Sequence, residues 1–156
     1  MRPSLTRGMI VTWAVCALLT MTACTKEEGA SVSDQDGKVQ DLMTDLRHLA
    51  SGLPEAPREL QDDLTGLAAA PPAAEAMGTL TTTLATALSG KQLADADAEQ
   101  LARLLSQAVN DRSAAADEVE RHRAGVRELL TRIGADPAAV ERVAEAQAAL
   151  FSGNAD

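Results

Sequence analysis

The residues able to move protons or hold metals are few. His48 and His122 are the 2 imidazoles of the chain. His122 falls between Val119 and Val126 on the apolar stripe of a helical segment, with Glu118 one turn before it. Such a pair suits a metal-ligand couple, or a proton acceptor beside an orienting carboxylate. It equally suits an imidazole at the edge of a core, satisfied by a backbone carbonyl or a carboxylate, and that structural role is the expectation. His48 falls on the side of its helix opposite Val39 and is expected in solvent. The paired carboxylates Asp62-Asp63 and Asp95-Asp97 have the chemistry for general acid–base work. Both fall near helix starts or on polar faces, where capping and solvation account for them. There is no Gly-x-Ser-x-Gly elbow, no glycine-rich phosphate loop and no second His or Cys at zinc-ligand spacing. The expectation is therefore no catalytic residue, no metal centre and no non-covalent cofactor.

The charge-rich run from Asp117 to Arg123 offers a different kind of chemistry. Arg121, Arg123, Arg127 and Arg132 fall on one helical segment of an otherwise acidic chain. Arginine is favoured at protein interfaces, so these four form the candidate interaction face. Ordinary surface pairing with Glu118 and Glu120 accounts for part of the same pattern.

The whole composition narrows the classes further. At 156 residues the chain has room for one ordinary domain, and 46% hydrophobic residues supply a core. Lys and Arg number 14 against 23 Asp and Glu, a formal charge of −9. A nucleic acid asks for the opposite balance, so no nucleic-acid partner is expected. Aromatics are 1% of the chain, leaving almost nothing for base or sugar stacking.

The N-terminal segment has its own logic. Arg2 and Arg7 precede an apolar run from Gly8 to Ala23, which is short for a membrane span and suited to a signal peptide. A buried first helix and an uncleaved anchor are the alternatives. The run ends Leu18-Leu19-Thr20-Met21-Thr22-Ala23-Cys24, which resembles the lipobox of bacterial lipoproteins, with Met21 in place of the usual Leu. The resemblance covers residues 1–24 only. It implies cleavage between Ala23 and Cys24 by signal peptidase II, and a diacylglyceryl group on the Cys24 thiol with acylation of the new terminus. Cys16 would leave with the peptide, so the mature chain would carry no free thiol and no disulfide. Two or three acyl chains give stable anchoring, where one does not. The implied location is the bacterial cell envelope, membrane-anchored on the periplasmic face. Thr25 in place of Asp after the lipidated cysteine leans toward the outer membrane if the source is Gram-negative.

Residues 25–37 are polar, acidic and without apolar periodicity, and read as a flexible tether with a reach of roughly 20 Å. From Lys38 the period is helical and stays so to Gly153, which marks 38–153 as one bundle domain. The first stripe is Val39, Leu42, Met43, Leu46, Ala50 and Leu53, stopped by Gly52 and Pro54. A second helix opens at Pro57, a third spans 73–89, a fourth is capped by Asp95, a fifth by Ser113 and a sixth by Asp136 ahead of Pro137. No segment alternates as a strand does. The expected fold is all-α, a compact bundle of five to six short antiparallel helices.

A firm anchor, a tether and little catalytic chemistry together suggest a non-catalytic interaction or structural module. Its expected partners are the membrane, through the lipid, and an envelope protein; a homo-oligomer is equally open. The alternative is a ligand-binding, metal-binding or stress-related helical periplasmic protein, and a hydrolase comes last. Periplasmic chaperones with Leu-Thr-x-x-Gln repeats are one comparison, but Leu64-Thr65, Leu80-Thr81 and Leu130-Thr131 lack the glutamine.

Overall fold

The computed structural model describes residues 28–68 and 74–152, with side chains described over 34–68 and 74–151. Six helices make up the fold among these residues: α1 Glu28–Ser51, α2 Ala56–Leu67, α3 Ala74–Leu88, α4 Asp95–Asn110, α5 Ala116–Arg132 and α6 Pro137–Ser152. The chain is an all-α bundle. Asp34–Asp156 is one compact unit, and of the other, Met1–Ser33, only the helical residues 28–33 are described. Cys24 and Ala23 lie outside the described residues, as do Pro71-Pro72 and Gly153.

The helices form where the leucine spacing places them, and each buries its stripe. Met77, Leu80, Leu84 and Leu88 of α3 are all buried, as are Leu60, Leu64 and Leu67 of α2. Each such leucine contributes about 1.5–3 kcal/mol of transfer free energy. α6 lies against both α3 and α5, α4 against α2, α5 and α6, and α2 against α3. Thr81, Thr82 and Thr83 weaken helix propensity by their branching. In α3 their hydroxyls donate back to the carbonyls of Met77, Gly78 and Thr79 at 2.8 Å, which accommodates them within the helix.

α1 is fastened by side chains that reach across to its neighbours. Lys38 Nζ donates to the Gly66 carbonyl at the end of α2 at 2.6 Å, and Arg47 Nε donates to Asp95 of α4 at 3.1 Å. The helix starts at Glu28, where the tether was expected to continue to Gly37. Nothing in 28–37 is a proline, and a helix already nucleated downstream gains one hydrogen bond per added residue.

The helix ends show which local signals matter. α1 stops in a Schellman motif: Gly52 takes φ +78° while its N–H bonds Leu49 and the Leu53 N–H bonds His48. Leu53 therefore sits beyond the helix at 50% exposure and is no part of the stripe assigned to it. The same motif closes α5, with Gly134 at φ +76° and bonds from Gly134 to Thr131 and Ala135 to Leu130. Asp136 caps α6 as expected, its Oδ1 accepting from the N–H groups of Ala138 and Ala139 at 3.0 and 3.1 Å.

Two expected caps are not caps. Asp95 lies inside the first turn of α4, whose N-cap is Ala94 with extended backbone, and its carboxylate turns to Arg47. Ser113 precedes α5 by a short extended stretch. The N-cap there is Ala115, and Ser113 Oγ bonds Asp111 instead at 3.4 Å. In both places acidic residues in the first turn, Asp95 and Asp97 or Asp117 and Glu118, complement the positive end of the helix dipole.

Candidate functional site

The seam between α1 and α2 gathers the titratable groups. Asp45 sits one turn after Leu42 and one before Leu49, so it occupies the buried stripe of α1. It is 5% exposed, and its Oδ2 is buried without a hydrogen-bond partner. From α2, Glu59 and Asp63 bring their carboxyl groups into hydrogen-bonding reach of it. His48, one turn further along α1, places Nδ1 3.8 Å from Glu59 Oε2. One ligand atom from each of Asp45, His48 and Glu59 lies within 4.8 Å of the others.

The electrostatics follow from that crowding. Burial pushes the Asp45 carboxyl from 3.8 up to about 8, and the hydrogen bond and negative charge of Asp63, then those of Glu59, push the same way. Asp63 is also raised, first by burial, then by the charges of Asp41, Asp62 and Glu59, while its hydrogen bond with Asp45 acts in the opposite sense. Two carboxyls in contact titrate as a unit. Arg47, two residues after Asp45, pairs instead with Asp95 of α4.

Sequence reasoning named Asp63 and His48 but not the pair's true partner. The Asp62-Asp63 couple is divided by the helix: Asp62 is exposed and Asp63 half-buried against α1. A signal for Asp45 did exist, since a carboxylate stands inside the Leu42, Leu46, Leu49 stripe. Glu59 comes from another helix, and no local spacing can announce it.

The candidate arginine face does not form a single face. Arg123 and Arg127 are one turn apart, whereas Arg121 and Arg132 line up about three turns apart on a different side of α5. Arg127 spans from Glu120, at 3.1 Å, to Glu141 of α6, at 2.9 Å. Arg123 pairs with Glu120 at 3.0 Å. Arg132 reaches Asp97 of α4 at 2.6 Å and Gln100 at 3.0 Å. Arg121 is the most exposed at 72%, with Asp117 at 4.0 Å. Arg127 and Arg132 clamp α5 to α6 and α4, Arg123 pairs within α5, and Arg121 is the one turned furthest outward.

His122 is half-buried at the edge of the core, with a ring contact where a carbonyl or carboxylate partner was expected. Its ring stacks on Phe151 of α6, centroids 5.3 Å apart. The surface grooves are shallow. One between α1 and α4 is lined by Val39, Met43, Glu99 and Arg103 among others, and one between α3 and α6 by Glu75, Thr79 and small alanines. Among the described residues no helix is long and apolar enough to cross a membrane. Compared with known proteins, the chain matches no family model, no curated protein and no solved structure.

Proposed function

We propose that this protein is a lipid-anchored lipoprotein of the bacterial envelope, whose helical bundle serves as a non-catalytic interaction or structural module. The observation that carries the reading is the order Arg2, Arg7, apolar run, Thr22-Ala23-Cys24, followed by a helical domain. Signal peptidase II would cut before Cys24, and lipid on its thiol would hold the bundle at the membrane. Supporting the non-catalytic half, His122 stacks on Phe151 at the edge of the core. An acidic body is repelled by anionic lipid headgroups, so membrane contact falls to the lipid. Arg121 and its surroundings on α5 are the part of the arginine set left available to an envelope protein partner.

Fractionation of bacterial cells expressing the chain tests this. Wild type should sediment with membranes and Cys24→Ala should either accumulate as uncleaved precursor or become soluble. Loss of labelling by a fatty-acid analogue should accompany the substitution. Equal lipid labelling of wild type and Cys24→Ala contradicts the reading.

A further inference from the structure

We propose that Asp45, His48 and Glu59, with Asp63 behind them, form a binding site for one first-row divalent metal ion at the α1–α2 seam. Acidic residues gather on many surfaces without any ligand. What distinguishes this group is Asp45, a carboxylate 5% exposed whose Oδ2 is buried and has no hydrogen-bond partner. Such an oxygen is costly to leave unmet, and a cation beside it would meet that cost. The cation nearest in sequence, Arg47, is committed to Asp95.

The geometry suits a metal. Ligand atoms around an ion at about 2.1 Å stand roughly 3–4 Å from one another. His48 Nδ1 and Glu59 Oε2 are already 3.8 Å apart, and the three ligand atoms lie within 4.8 Å. Small side-chain rotations close the remainder. The wall of the site is rigid, because Asp45 lies between buried leucines, while the mouth is open: His48 is 42% and Glu59 52% exposed. An ion can enter and keep water in its remaining positions. The His48 carbonyl is held by the Leu53 N–H in the helix-ending motif, which fixes the backbone carrying the imidazole.

The donor set chooses among ions. An imidazole beside two or three carboxylates favours Zn²⁺ or Mn²⁺ over Ca²⁺, which takes six to eight oxygens. Asp41 and Asp62 add negative charge without needing to be ligands.

Isothermal titration of the full chain with Zn²⁺, Mn²⁺ and Ca²⁺ in mild detergent tests the site. Cys16→Ser and Cys24→Ser are both introduced so that no thiol competes. The expected result is one Zn²⁺ per chain, weakened at least about tenfold by Asp45→Asn and by His48→Gln. Asp117→Asn, at a carboxylate beside Arg121 on α5 and away from the seam, should leave affinity unchanged. His48 is half-exposed and its substitution leaves the core intact, so it decides the matter even if Asp45→Asn misfolds. No Zn²⁺ binding, or binding that His48→Gln does not weaken, overturns the proposal. Ca²⁺ binding as tight as Zn²⁺ overturns the choice of ion.

Discussion

Asp45 of α1 and Asp63 of α2 bring two carboxyl groups together across a seam of buried leucines, where burial and their mutual negative charge oppose ionisation of both. The pair couples the packing of two helices to solution chemistry. The rest of the core is mainly aliphatic, and the other inter-helix carboxylates, Asp95, Asp97 and Glu141, are paired with arginines.

Stability should therefore fall as pH rises. The Asp45 carboxyl is raised from 3.8 to about 8, so between those values the folded chain binds more protons than the unfolded one. Stability is greatest below the lower value and is lost as pH climbs toward the upper. With chelator present, the unfolding free energy from urea melts should drop from pH 5 to pH 8.5, by on the order of 2 kcal/mol after relaxation and water penetration are allowed for. Asp45→Asn should flatten the profile by removing the ionisable group. A wild-type midpoint unchanged over this range would show that the seam does not hold its proton.

The arginines of α5 should separate by position. Arg127→Ala breaks a two-sided ion pair between helices and should cost about 1 kcal/mol, seen in urea melts. Arg121→Ala should change stability by less than about 0.5 kcal/mol, since its partner is distant and its side chain solvated. If partner capture depends on α5, Arg121→Glu should be the substitution that weakens it without unfolding the chain.

Two glycines should respond with opposite signs to alanine. Gly125 lies within α5, where an added Cβ would meet Leu104 at an ordinary 3.5 Å. Gly125→Ala should stabilise by about 0.5–1 kcal/mol through helix propensity. Gly134 holds φ +76° in the cap of the same helix, so Gly134→Ala should destabilise by about 1 kcal/mol. Thermal melts of the two variants give the comparison directly.

Helix identity was legible in the sequence because leucines at three and four residue spacing leave no competing period. Asp136-Pro137 announced its helix because side chain and ring both act locally. Asp95 and Ser113 misled for a physical reason: each is a good cap former with an alanine nearby that the backbone used instead. The site was half legible. His48 and Asp63 were visible by type but were assigned to solvent and to helix capping, and their meeting with Asp45 and Glu59 depends on how α1 and α2 pack, which no local pattern encodes. The arginines were visible too, yet their partners Asp97 and Glu141 lie on other helices.

Lipid attachment at Cys24, as proposed, is open to intact-mass spectrometry of the protein extracted from bacterial membranes. The expected species is a chain beginning at Cys24 and heavier than the polypeptide by a diacylglyceryl group, with or without a further acyl chain. A polypeptide that retains residues 1–23, or one cut elsewhere with Cys24 unmodified, would contradict it.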